Sequence, residues 1–166
     1  MSIKTKEEIL QIVTKIIDNV GLSTVEINAK KPWGAYFRLE DNDAEKFIDT
    51  YFADIKDKFD TFNNLSPKYL LVAPGERLSW QYHYRRAEHW RVLKGTVGVK
   101  LSDNDTEPID YDTKSEGKLV QFPALKRHRL IGLDDWGVVV EIWQHTEILK
   151  PSDESDIVRV ADDYNR

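Results

Sequence analysis

Gln81, His83 and Glu88 lie in one short, strand-like run between Pro74 and Gly95, a grouping of residue types that seldom share a hydrophobic neighbourhood. Gln81 and His83 are two apart, so in a strand both project from one face, about 7 Å apart. Trp80, Tyr82 and Tyr84 then face the other way. Glu88 has the wrong parity for one uninterrupted strand. It joins the same face only if the chain turns between Tyr84 and Ala87, with Glu88, Trp90 and Val92 then alternating against His89, Arg91 and Leu93. A fourth candidate comes from FPALKRHRLIG, where a turn after Pro123 leads to a strand opened by His128. Two imidazoles, a carboxylate and an amide oxygen suit one divalent ion such as Zn²⁺, Mn²⁺, Fe²⁺ or Ni²⁺. With a single anionic ligand, such an ion keeps about one positive charge and can polarise a carbonyl or hydroxyl of a bound molecule. The same spacing also fits two hydrogen-bonded core histidines, and spacing alone leaves both readings open.

The elements that must position these residues fall into two regimes. In the N-terminal third, Thr5 and Glu8 are spaced as a capping box, and Ile9, Ile12, Val13, Ile16, Ile17 and Val20 follow helical periodicity up to Gly21. A second helix is predicted after EDND at 40–43, with a stripe of Phe47, Ile48, Tyr51, Phe52, Ile55 and Phe59. A short strand, entered through the Pro32–Gly34 turn, lies between them. From about residue 67 the period changes to 2. KYLLVAPG, LSWQYHY, EHWRVLKG, TVGVKL, KLVQFP and WGVVVEIWQH are short, apolar and separated by turn signals. Such a series predicts an antiparallel barrel or jelly roll. The expected organisation is one mostly β domain: a mainly helical segment over 1–62, a barrel over 67–150, and a polar tail over 151–166 packed on the barrel. Trp80, Trp90 and Trp143 are read first as core or interface material, with stacking on a ligand ring as the alternative.

Composition narrows the function. The chain has 166 residues and no cysteine, which excludes disulfides and thiolate ligands. A net charge of −5 argues against a nucleic-acid binder, whose affinity comes from neutralising phosphates. No apolar run is long enough for a membrane span, and the charged first residues are unlike a secretion signal, so a cytoplasmic location is expected. Two basic clusters, Arg77/Arg85/Arg86/Arg91 and KRHR at 126–129, suit a small anionic ligand better than a polyanion. Solvated surface is the bland alternative.

PGERLSWQYHYRRAEHWRVLKGT resembles the first cupin motif as found in type II mannose-6-phosphate isomerases, a domain that also forms the C-terminal half of bifunctional enzymes making GDP-mannose. The matching positions are Pro74, Gly75, Leu78, Ser79, Gln81, His83, Arg86, Glu88, His89, Trp90, Val92 and Gly95. FPALKRHRL resembles the second motif through Pro123, His128, Arg129 and Leu130. DIVRVADDYNR resembles the terminal signature through Asp156, Ile157, Val158, Arg159, Asp162, Asp163, Tyr164 and Arg166. KPWG at 31–34 and Lys68 also match. The chain departs from the pattern at Tyr84 and Arg85, where histidines are frequent, at Leu125, where glycine is usual, and at Gly132, where asparagine is usual. EIWQHTEILKPS also departs, and about 65 residues of helical type stand where the nucleotidyltransferase half would be.

The resemblance implies a cupin, a double-stranded β-helix, with one divalent metal ion held by Gln81, His83, Glu88 and His128. It implies a small phosphorylated sugar at the open metal face, and it makes Lys68, Arg86 and Arg129 candidates for catalysis and Arg86, Arg129 and Arg159 candidates for substrate binding. Arg159 has a competing expectation, an ion pair with Asp162 or Asp163. The implied activity is that of an aldose–ketose isomerase converting mannose 6-phosphate to fructose 6-phosphate. A proton would move between C1 and C2, with the metal or a nearby Arg or Lys steadying the enediolate oxygen. The alternative is a non-catalytic metal-containing cupin that binds a sugar phosphate or nucleotide sugar. An Fe(II) oxygenase built on two histidines and one carboxylate is a third. Homodimerisation is a family-level expectation.

Overall fold

The structure, a computed structural model, describes residues 3–164; Arg166 of the terminal signature lies outside the described residues. Among the described residues, eleven strands form two antiparallel sheets. The six-stranded sheet has the order β1 (Thr24–Asn28), β2 (Gly34–Leu39), β3 (Lys68–Val72), β10 (Gly137–His145), β5 (Arg86–Lys94), β8 (Leu119–Phe122). The five-stranded sheet runs β11 (Val158–Ala161), β4 (Trp80–Tyr82), β9 (Arg127–Gly132), β6 (Val97–Ser102), β7 (Asp112–Lys114). Among the described residues, no helix is long and apolar enough to cross a membrane.

The central strands of the larger sheet are buried on both faces, which explains their unbroken apolar runs. Every residue of KYLLV in β3 is buried, and so are the first seven of β10. Leu70, Val72, Trp90, Val92 and Val139 pack inward with Val97, Val99 and Leu130 of the second sheet. Tyr69, Leu71, Val138, Val140 and Ile142 face outward onto a helical layer. That layer begins with α1 (Lys6–Val20), whose Thr5–Glu8 capping box forms as expected and which ends on Gly21 in the left-handed conformation. Its buried stripe is Ile9, Val13 and Ile17.

In the N-terminal region β2 is the strand expected after the Pro32–Gly34 turn, whereas β1, which pairs with it at the edge of the barrel sheet, was not expected. β1 carries no alternating burial and sits at the sheet edge, so no period-2 signal marked it. The second helix, α2 (Ala44–Tyr51), stops earlier than its apolar stripe predicted. Phe52 leaves the helix at φ −136°, and a 3-10 segment over 53–58 follows. The stripe still works, since Phe52, Ile55 and Phe59 all reach the core by the tighter path. At the Pro32–Gly34 turn, Gly34 has φ +149°, and a Cβ there would lie 1.9 Å from the Leu71 carbonyl oxygen. Only glycine fits so close an approach. The tail also does more than lie on the barrel: β11 pairs with β4, setting Arg159 opposite Gln81.

Candidate metal centre

Three strands bring the predicted ligands together. Gln81 in β4 is in register with His128 in β9. His83 follows β4 directly, and Glu88 lies in β5 across the barrel. His83 Nε2 is 3.3 Å from His128 Nε2 and 3.1 Å from Glu88 Oε1, and Glu88 Oε2 is 3.6 Å from His128 Nε2. All three residues are buried and offer ligand atoms within 4.8 Å of one another. Gln81 reaches the same point, its amide nitrogen 3.4 Å from His128 Nε2 while Ser79 Oγ donates to its Oε1 at 2.6 Å. Turning that amide over would exchange these roles and present the oxygen to the centre.

The chemistry of the donors fits a cation. His83 Nδ1 donates to the Asp156 carbonyl at 2.6 Å, and His128 Nδ1 donates to the Lys126 carbonyl at 2.9 Å. These bonds turn both Nε2 atoms inward. Two imidazole nitrogens and a carboxylate then crowd one point, with the Arg86 guanidinium 2.9 Å from Glu88 Oε1 and 3.3 Å from His83 Nε2 at its side. Glu88 Oε2 is buried without any hydrogen-bond donor, a costly orphan unless something cationic approaches it. Burial pushes the Glu88 carboxyl up, but His83 and Arg86 outweigh it and hold the group well below the ordinary carboxylate range. Burial pushes His128 down to about 3, so its imidazole is neutral and free to ligate at physiological pH. The trio His83, Glu88 and His128 can therefore hold a metal ion.

A cavity of about 160 Å³ opens on this centre, lined among others by Lys31, Lys68, Arg86, Glu141, Glu154 and Arg159. Lys68 Nζ is 2.6 Å from Glu154 Oε1 and 3.8 Å from Glu141 Oε2. Arg86 shares a face with Glu88 two residues on, and its guanidinium is committed to the protein. Nε donates to Glu88 Oε1 at 2.9 Å, Nη1 donates to Ser152 Oγ at 2.9 Å and the Asp153 carbonyl at 3.0 Å, and the group stacks 3.8 Å over Trp143. The Arg159 guanidinium, by contrast, makes no hydrogen bond or ion pair with any described residue. Of its two expected partners, Asp163 binds Arg77 at 2.7 Å and Asp162 accepts from the Tyr164 main-chain N–H at 3.4 Å.

Arg129 is not brought to the site. It follows His128 directly, so strand alternation sends it to the opposite face. There it donates to the Leu78 carbonyl at 2.8 Å and to both oxygens of Glu107 at 2.8 and 3.0 Å, and it does not line the cavity. The expectation that Arg129 contacts substrate is corrected by that placement.

Glu141 was missed in the sequence. It sits on the inner face of β10, accepts from Trp90 Nε1 at 3.0 Å and lines the cavity beside Glu88. Burial, then the Glu88 charge, raise its carboxyl above the usual range. A lone carboxylate inside GVVVEIW was the available signal, since a buried strand admits a charge only for a reason.

Two facing antiparallel sheets with an inward His–Glu–His cluster define a cupin. Solved structures support that fold: the capsular polysaccharide assembling protein CapF of Staphylococcus aureus aligns at TM-score 0.55 and 14% identity over 81% of this chain and 33% of its own. Oxalate decarboxylase of Bacillus subtilis aligns at TM-score 0.55 and 16% identity over 81% of this chain and 29% of its own. The sequence profile of the family Mannose-6-phosphate isomerase C-terminal matches residues 53–162, and the chain belongs to that family. Among its relatives, the alginate biosynthesis protein AlgA of Pseudomonas aeruginosa is 27% identical over 100% of this chain and 29% of its own length. Mannose-1-phosphate guanylyltransferase of Escherichia coli K12 is 27% identical over 99% of this chain and 31% of its own. The chain thus spans less than a third of the curated relatives it matches.

Proposed function

We propose that the cavity is the active site of a sugar-phosphate isomerase that interconverts mannose 6-phosphate and fructose 6-phosphate. The observation that carries this reading is the Arg159 guanidinium, paired with no described residue, in the wall of a cavity that His83 and Glu88 of the His–Glu–His cluster also line. That cation would suit a phosphate, through charge-assisted hydrogen bonds, with the sugar's C1–C2 end left to the cluster. His83, Glu88 and His128 would hold a divalent ion, which would supply Lewis-acid chemistry at the site. The chain's own residues do the rest. Glu141, outside the ligand trio and oriented by the Trp90 indole, is placed to take the proton from C2 and return it to C1, while a second proton passes from O2 to O1. Lys68 puts positive charge beside the oxygens that become negative in between.

The test is to strip and reload the protein with each divalent ion and to offer mannose 6-phosphate and related aldose phosphates. Ketose formation that needs metal and disappears in His83→Ala and Glu141→Gln supports the isomerase. Tight, metal-dependent binding of mannose 6-phosphate without turnover overturns it in favour of a binding module.

A further inference from the structure

Two buried cations beside the metal centre, Lys68 and Arg86, are both bound by one short stretch of the tail, Ser152–Asp156. The two contacts differ in kind. Arg86 Nη1 donates to the hydroxyl of buried Ser152 and to the Asp153 main-chain carbonyl, so it fixes the path of the stretch. Lys68 instead meets a side chain, donating from Nζ to Glu154 Oε1 at 2.6 Å. The Lys68 side chain is only 8% exposed, whereas that of Glu154 is 63% exposed. One further bond holds the carboxylate in place, from Ser66 Oγ to the same oxygen at 3.1 Å.

A buried ammonium is costly without a counter-charge. Besides Glu154, Lys68 has the Trp143 ring at 4.4 Å and Glu141 Oε2 at 3.8 Å, beyond hydrogen-bond reach. Glu154 can therefore leave at low cost only when another anion takes its place. Such an anion has a way in, because Lys68 and Glu154 line the metal cavity together with Arg159. The displaced carboxylate has a way out, because Glu154 also lines the open groove of about 740 Å³ beside that cavity.

We propose that Glu154 is an internal competitor for Lys68, which seats its carboxylate on the ammonium until an anionic group of a ligand replaces it. The inference rests on the reading that the cavity takes a phosphate-bearing ligand. The exchange selects for charge, since a neutral ligand that displaced Glu154 would leave Lys68 buried and unpaired. It also sets affinity: a pair closed about nine-tenths of the time lowers the apparent affinity for an anion about tenfold.

The test is calorimetric titration of the metal-loaded full chain with inorganic phosphate and with mannose 6-phosphate. Glu154→Gln, which keeps a neutral acceptor beside Lys68, should bind both about tenfold tighter than the parent. Ser66→Ala changes no charge and removes one hydrogen bond from the closed pair, so it should tighten both by about threefold to tenfold. In a Lys68→Met background, Glu154→Gln should bring no gain. Asp153→Asn removes a charge from the same stretch, but that carboxylate faces Arg85 at 3.4 Å, and affinities should stay within about twofold of the parent. No gain in Glu154→Gln overturns the competitor, as does an equal gain in Asp153→Asn or in the Lys68→Met background. Phosphate bound by none of these proteins overturns it too. Each of these outcomes is read from binding, so the isomerase reading stands or falls separately, on ketose formation.

Discussion

Replacing Asp156 by alanine should weaken both the fold and the metal centre, through two separable sets of bonds. Its buried carboxylate accepts from the main-chain N–H of Tyr84 at 2.9 Å, from that of Arg85 at 3.0 Å, and from Ser152 Oγ at 2.7 Å. Its main-chain carbonyl accepts from His83 Nδ1 at 2.6 Å. Hydrogen bonds to a charged group contribute about 1.5–3 kcal/mol each, and three on one carboxylate are not additive. Since Tyr84 is exposed and water can replace part of the set, about 3 kcal/mol is the expected loss. With a urea slope of about 2 kcal/mol/M, the unfolding midpoint of the metal-stripped protein should fall by about 1.5 M. The carboxylate also fixes the turn that carries His83, so the ring loses its aim, and an orienting partner of a ligand is typically worth 10–100-fold in metal affinity. Urea unfolding without metal reads the first effect, and zinc titration of folded protein reads the second. A midpoint equivalent to less than about 0.5 kcal/mol from the parent would refute the turn argument. An unchanged zinc affinity in a measurably destabilised variant would refute the positioning argument.

His128→Ala should lose most bound metal by elemental analysis, whereas His145→Ala should retain it, because His145 spends both ring nitrogens on Asn64 and Ser152; equal loss in both would refute the ligand set. Leu125 holds φ +71° with an exposed side chain, so Leu125→Gly should relieve about 1–2 kcal/mol of left-handed strain against about 0.5–1 kcal/mol of glycine entropy, raising the melting temperature slightly. A lowered melting temperature would show that the turn is not strained. The Arg77 bonds hold Asp163 below the ordinary aspartate value, and at Glu107 the bonds from Arg129 and Lys100 outweigh the upward push of burial. Both depressed groups add stability above their unfolded values of about 4 to 4.5, and that stability is lost as pH falls through the folded ones. Asp163→Asn should therefore reduce the drop in unfolding free energy between pH 5 and pH 3, and an identical drop would count against the tail contact.

The centre was legible because its logic is local. Gln81 and His83 share parity in one strand, Glu88 needed a turn that forms, and His128 opens the strand in register with Gln81. What alternation settles, sequence could settle. Arg129 shows the same rule misapplied: a motif match outweighed the fact that a residue next to His128 must face away. β1 was not legible, because an exposed edge strand has no buried face to impose a period. The early end of α2 was also hidden, since the stripe Phe52, Ile55 and Phe59 is satisfied by a 3-10 path as well as by a helix. Glu141 needed knowledge of which face of β10 turns inward, and a strand buried on both faces does not declare it.

The cavity depends on parts of the chain far from the ligands in sequence. Lys31, Trp33 and Tyr36 come from the approach to β2 and from β2 itself, and Glu154, Ile157 and Arg159 come from the tail. The strands over 67–150 thus supply the ion's ligands, and the two flanking regions supply much of the surface a substrate would meet. Changes in the flanks can retune the ligand while the His–Glu–His cluster stays intact, because the cluster's orienting bonds come from Lys126 and Asp156 rather than from Lys31, Tyr36 or Arg159. Asp156 is the point where the two functions meet, since the same short stretch that aims His83 leads directly into Ile157 and Arg159 in the cavity wall.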